Sequence, residues 1–189
     1  GEWRSTLLEV IRSKNFLFHY QPVYQLRANG ERTLFANEIF VRIEVDDQVI
    51  SAGVFMPMAE RFELLVELDQ LIIDRALTNI EQNGPPIVIN LSTYSLQNDE
   101  FRSWFYQQLT LHRHNASRVI FELQEHAVHL AYDDVRLLVQ AGNSLGYQFS
   151  VDHFGSGATS FAYLQSLDVH FIKIDRSFVS DLDQKTDNQ

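Results

Sequence analysis

The chain has no cysteine, so it can form neither a disulfide framework nor a thiolate metal site; a reducing compartment suits it without being required. No run of about 18 consecutive apolar residues occurs, so nothing in the sequence reads as a membrane-spanning helix. Basic residues are scarce beside acidic ones, 15 against 25, for a net charge of −10. Such a chain lacks the basic face that general nucleic-acid binding needs. A phosphate ligand stays open to it if a few cations or bound metals act locally. Gly155 and Gly157 are not followed by Gly-Lys-Ser/Thr, which excludes a nucleoside-triphosphate P-loop. The first residue is Gly1 and the only methionines are Met56 and Met58, which predicts a processed or excised chain with no secretory leader. Its missing flanks could carry a membrane anchor.

What is present is the pattern of a globular domain. Of 189 residues, 45% are hydrophobic and 21% charged, enough for a real core in one domain. Apolar spacing predicts a helix over 2–14. Aromatic-rich extended runs at 16–26 and 33–45, parted by Ala28-Asn-Gly30, predict a hairpin, and Asp46-Asp47 marks a further turn. A short helical element follows at 55–59, then a longer helix through Leu64, Leu68, Ile72 and Leu77, ended by Asn83-Gly-Pro-Pro86. Beyond it the pattern alternates. Strands are predicted at 87–90, 119–122, 147–152 and 169–175, with helices through Phe105, Leu138 and Leu164 between them and a last helix over 176–182. Gly146 closes the helix through Leu138. The domain is expected over 1–182, with 183–189 a polar tail.

Short doubly buried strands separated by helices mean parallel β/α units. About six strands are predicted, roughly two units short of the eight-stranded barrel. The sheet is therefore either open and doubly wound, or a barrel cut before closure with exposed edges that must associate. In parallel units the strand ends share one face, so Glu38, Asn90, Glu122, Asp152 and Lys173 should converge there. Four oxygen donors suit a hard cation: Mg²⁺, Mn²⁺, or Ca²⁺ in a loose site. Taken singly, each residue has a plainer explanation as a helix cap or, for Glu38, a salt bridge with Arg42. Zinc bound by His112, His114, His126 or His129 lacks an evident third ligand. Phe101, Trp104 and Phe105 read as packing.

Seven motifs carry a resemblance. Tyr20-Gln-Pro22, Glu38-Ile-Phe-Val-Arg42, Phe55-Met-Pro-Met-Ala-Glu60, Val88-Ile-Asn-Leu-Ser92, Phe121-Glu-Leu-Gln-Glu125, Asp152-His-Phe-Gly-Ser-Gly157 and Ile172-Lys-Ile-Asp-Arg-Ser-Phe178 span nearly the whole chain. Together they resemble the EAL domain, a TIM-like (β/α) barrel phosphodiesterase family that linearises cyclic di-GMP with two metal ions. The resemblance implies an EAL-type barrel whose last two β/α units are missing here. It implies Glu38, Asn90, Glu122 and Asp152 as ligands of the first Mg²⁺ or Mn²⁺, with Glu38 and Lys173 the catalytic pair. Gln21, Arg42, Asp152 and Asp175 are implied as nucleotide-binding. Glu125 with Phe154, Gly155, Ser156 and Gly157 is implied as a regulatory, dimer-contacting loop.

The departures from the family pattern shape the expected function. His153 stands where the family has a second-metal aspartate, and one neutral nitrogen suits Mg²⁺ poorly. Ile39-Phe40 is bulkier than Ala-Leu and crowds the nucleotide floor. Gln124 replaces a threonine, and His126 a small hydroxyl residue. These changes predict a degenerate EAL domain of the LapD receptor type, which binds cyclic di-GMP without efficient cleavage, with or without a bound metal. The alternatives are an active phosphodiesterase releasing pGpG and a scaffold that binds no nucleotide. A homodimer, formed through the loop or through exposed barrel edges, and a cytoplasmic setting with no membrane contact by this stretch are expected.

Overall fold

A computed structural model describes residues 2–152, 161–175 and 178–181. Helix α1 (Glu2–Ser13) leads into a long hairpin of β1 (Phe16–Leu26) and β2 (Arg32–Val45). The turn at Asp46 and Asp47, both at positive φ (51° and 65°), sends the chain back as β3 (Gln48–Ser51). Two helices follow, α2 (Ala52–Arg61) and α3 (Leu65–Thr78). Strand β4 (Ile87–Asn90) leads to α4 (Thr93–Leu96) and α5 (Asp99–Leu111), and a 3₁₀ turn (Arg113–Arg118) enters β5 (Val119–Leu123). Then come α6 (Glu125–Leu130), α7 (Tyr132–Leu145), β6 (Gln148–Val151), α8 (Phe161–Ser166), β7 (Phe171–Asp175) and β8 (Phe178–Asp181). Among the described residues no helix is long and apolar enough to cross a membrane.

The strands close into a seven-stranded ring in the order β1-β8-β7-β6-β5-β4-β2, with β1 pairing β2 to seal it and β3 hanging from β2. From β2 through β7 the pairings are parallel, while β1/β2 and β7/β8 are antiparallel. This is the expected TIM-like barrel, with two corrections. Within the helix predicted over 176–182, the described residues Phe178–Asp181 form strand β8 instead. Its pattern has period two: Val179 is buried in the lumen, while Phe178 lies 6.3 Å from the Tyr24 ring. Two unpaired strand flanks decide the matter, because β8 pairs antiparallel with β7 and parallel with β1 through Tyr24↔Phe178 and Gln25↔Val179. The exposed ring edges expected of a cut barrel are accordingly absent among the described strands.

Alternation along each strand sorts side chains into two environments. Outward-facing Ile89, Phe121, Leu123, Phe149, Val151 and Ile172 pack on Ile73, Leu77, Phe105, Leu109 and Leu138 of the helices in the main core. Inside the ring, Val23, Ala36, Val88, Ile120, Phe171 and Val179 form an apolar floor. The packing between α7 and β6 is close enough that a Cβ on Gly142 would lie 2.5 Å from the Phe149 ring. Gly146 ends α7 at φ 102°, as its place in the sequence predicts. At the opposite end of the barrel, Arg75 of α3 donates to the carbonyls of Phe16 (2.6 Å) and Lys14 (2.5 Å), with its guanidinium 3.7 Å above the Phe16 ring. This fastens the α1–β1 connection to α3.

Candidate functional site

Two residues further along the parallel strands, the lumen changes character. Ala36, Val88, Ile120 and Phe171 of the floor are followed at the next inward position by Glu38, Asn90, Glu122 and Lys173. Strand register staggers this layer around the ring: Glu38 stands opposite Gln21 and Val88, one inward position before Asn90, and Asn90 stands opposite Glu122. Asp152 follows the end of β6, its N–H donating to the Leu123 carbonyl at 2.9 Å. All five predicted strand-end residues, with Gln21 and Arg42, line one cavity of about 780 Å³. That volume suits a small-molecule ligand.

The layer is strongly charged and buried; Glu38, Glu122 and Lys173 are 2%, 3% and 3% exposed. The Lys173 ammonium donates to Glu38 Oε1 and lies 3.2 Å from Glu122 Oε1. Asn90 Nδ2 donates to Glu38 Oε2 at 3.0 Å. Glu38 therefore pairs with Lys173, not with Arg42 further along its own strand. Burial, then the neighbouring Glu38 charge, and more weakly Asp152, push the Glu122 carboxyl up to about 8 against the pull of Lys173. Burial disfavours the Lys173 cation, but Glu122 and Glu38 outweigh it and raise the group above its ordinary value. Lys173 is thus an ammonium at neutral pH.

Three carboxylates and one ammonium carry a formal charge of −2 when all are ionised. A proton held on Glu122 is the layer's own answer to that excess, and a divalent cation would relieve it as well. With Nδ2 committed to Glu38, Asn90 has its carbonyl oxygen left for a cation, so the donor set is hard oxygen throughout and fits Mg²⁺ or Mn²⁺. Lys173 now stands between the two glutamates. Among the described residues no three His, Asp or Glu side chains are gathered tightly enough to hold an ion as they stand. The donors are therefore assembled with an ammonium in their midst.

Asp175 ends β7, paired with Phe178 across to β8. His153, Phe154, Gly155, Ser156 and Gly157 lie outside the described residues. Glu125 begins α6 away from the cavity lining, with Oε1 3.8 Å from His129 Nε2 one turn on. His112 and His114 lie 6.4 Å apart, ring to ring, and join no metal-binding cluster among the described residues. Asp69 was not anticipated. It lies on the buried face of α3 with Leu65, Leu68, Ile72 and Ile73, and its carboxylate accepts hydrogen bonds from Ser92 and Ser95, both at 2.6 Å. Burial pushes it up to about 6, against the two hydroxyls. An acid inside an apolar helical stripe was the available signal.

Known proteins resemble this chain in sequence and fold. The Shewanella oneidensis cyclic di-GMP phosphodiesterase PdeB is 31% identical over 188 residues, covering 96% of this chain and 22% of that protein. Four curated relatives are matched over only 22–26% of their own length. Among solved structures, the S helix-GGDEF-EAL portion of Vibrio cholerae LapD superposes with a TM-score of 0.80 at 25% identity, over 92% of this chain and 42% of that one. The phosphodiesterase PaMucR in its c-di-GMP complex superposes at 0.77, also at 25% identity, over 93% and 73%. The EAL domain family model matches residues 4–189, and the chain belongs to the EAL domain family.

Proposed function

We propose that this chain acts in cyclic di-GMP signalling as a nucleotide-binding EAL domain with impaired hydrolysis, a receptor rather than an efficient phosphodiesterase. The observation that carries the proposal is an imbalance. The residues that would form the first half of a two-cation site, Glu38, Asn90, Glu122 and Asp152, line one cavity around Lys173. The residue following Asp152, where a second acid would complete the site, is His153.

Glu38, Asn90, Glu122 and Asp152 would hold Mg²⁺ or Mn²⁺. A bound ion there supplies Lewis acidity toward a phosphodiester and lowers the pKa of a coordinated water. Arg42, on the same strand as Glu38, offers a planar guanidinium for a bidentate grip on a phosphate. Phe40 lines the cavity between them and narrows the space for a base. Lys173, with the proton on Glu122, offsets the two glutamates when no divalent ion is present, which weakens the layer's repulsion of an anionic dinucleotide.

A second reading, an active phosphodiesterase releasing pGpG, is favoured by the survival of every strand-end donor and by 31% identity to a cyclic di-GMP phosphodiesterase. Isothermal titration with cyclic di-GMP, followed by product analysis in Mn²⁺, separates the two. Heat of binding without pGpG is the expected result. Steady release of pGpG establishes the second reading, and absence of any heat sinks both.

A further inference from the structure

We propose that Asp69 is a positioning residue: through Ser92 it fixes the turn after β4 so that the Asn90 carboxamide gives its N–H to Glu38 and keeps its oxygen for a cation. The inference gains its importance from the proposed function, but the geometry stands apart from it. Asn90 ends β4, and Ser92 lies two residues beyond. This short stretch is held from two sides. From β5, the Glu122 carbonyl accepts the Leu91 N–H at 3.0 Å. From α3, the Asp69 carboxylate accepts the Ser92 hydroxyl at 2.6 Å. Between these anchors, Asn90 Nδ2 reaches Glu38 Oε2 at 3.0 Å and the Ile39 carbonyl at 3.5 Å.

A structural role alone leaves the acid unexplained. Ser92 already caps α4 by accepting the Ser95 N–H at 3.1 Å, which needs no carboxylate. Burying an acid at 6% exposure on an apolar helix face is unfavourable, and a leucine would pack there without that penalty. What the carboxylate adds is direction. It accepts both hydroxyls on one oxygen, so the Ser92 hydrogen points into α3 and its lone pair toward Ser95. The rotation of Asn90 matters because its two ends are opposite in kind. Turned one way it offers an oxygen to a cation; turned the other it offers two N–H donors, which repel one.

The test uses the whole chain without metal or nucleotide. In ¹H–¹⁵N spectra the Asn90 side-chain NH₂ pair is identified by its disappearance in Asn90→Asp. Its hydrogen exchange is then compared among variants. Asp69→Leu, which removes the acceptor, should accelerate that exchange about tenfold, the size of one lost hydrogen bond. Ser92→Ala should do the same, and Ser92→Thr should restore the slow rate. Ser95→Ala removes the other hydroxyl bond to Asp69; it should lower the melting temperature and leave Asn90 unchanged. Unaltered exchange in a folded Asp69→Leu overturns the proposal. Should Asp69→Leu not fold, equal exchange in Ser92→Ala and Ser95→Ala overturns it, because that result is general loosening. Mn²⁺ titration followed by electron paramagnetic resonance adds a second readout, with about tenfold weaker binding expected for Asp69→Leu. A parent chain that takes up no Mn²⁺ removes the cation from the proposed function, while the exchange comparison still decides the role of Asp69.

Discussion

Replacing Lys173 by methionine should destabilise the barrel in a way that depends strongly on pH. Methionine fills a similar volume, so packing changes little and charge is what is lost. Lys173 lies 3.2 Å from Glu122 and donates to Glu38, with all three side chains almost fully buried. At that distance one ion pair is worth about 5 kcal/mol at an effective dielectric near 20. Removing one partner of such a buried set typically costs about 3–5 kcal/mol, because the other charge is stranded. The stranded carboxylate can escape by taking up a proton. In the parent, Glu122 already holds one until about 8, while Glu38 is paired with the ammonium. In Lys173→Met the folded state must hold a second proton, which the unfolded chain releases above a pH of about 4.5. Each pH unit beyond that point costs the variant about 1.4 kcal/mol more than the parent. The expected loss is therefore about 1–2 kcal/mol at pH 5, mostly from hydrogen bonds, and about 5 kcal/mol at pH 7.5. Urea unfolding of both proteins at the two pH values measures it. Adding Glu38→Gln to Lys173→Met should recover stability at pH 7.5 and little at pH 5. Equal losses at pH 5 and 7.5 would refute the assignment of Lys173 as the counter-ion of the layer.

Other perturbations test neighbouring parts of the same structure. The folded value of Glu122 lies above its unfolded one, so the folded state binds more protons between about 4.5 and 8, and parent stability should fall as pH rises through that window; Glu122→Gln should flatten the profile in denaturant titrations. Asp69 behaves alike in a lower window. Its folded value of about 6 against 3.8 corresponds to about 3 kcal/mol, so the stability of the parent relative to Asp69→Asn should decline by about that much between roughly pH 3 and pH 7. Gly142→Ala places a Cβ against the buried Phe149 ring and should cost about 1–3 kcal/mol, read as a lower melting temperature. His153→Asp should raise pGpG formation in Mn²⁺ at least tenfold, about 1.4 kcal/mol of barrier, if hydrolysis is impaired at the second acid; an unchanged rate would move the impairment elsewhere.

What the sequence discloses depends on how local each cause is. Strands β4 to β7 were legible because each is a short apolar run with a polar end, flanked by amphipathic helices. The convergence of Glu38, Asn90, Glu122, Asp152 and Lys173 followed from parallel connection alone. Strand β8 was not legible. Four residues with Val179 inward and Phe178 outward carry too little pattern to separate strand from helix. Their state is set by the free flanks of β1 and β7, one of them about 150 positions earlier in the chain. Strand β3 was missed for the same reason, although the Asp46-Asp47 turn that creates it was recognised. The pairing of Lys173 with Glu38 spans 135 positions, and only ring closure reveals that it replaces Arg42 as partner. Asp69 was visible as an oddity, an acid on a buried face, but its hydroxyl partners lie 23 and 26 residues away.

The site's depth follows from a single geometric fact. On β2, β4, β5 and β7 the last apolar lumen residue and the first polar one are separated by two positions, the period of a strand. The floor and the charged layer are therefore not independent. A one-residue slip of β4 would turn Val88 and Asn90 outward together and bring Ile89 into the charged layer. The same hydrophobic burial that fixes the ring's register thus fixes the height of Glu38, Glu122 and Lys173. Their mutual charges are unfavourable to bury, and each is held in place by the apolar lumen side chains two positions before it on its strand. A cation or an anionic ligand entering the cavity meets a layer whose spacing has already been set by folding, so binding need reorganise only the Lys173 ammonium and the proton on Glu122.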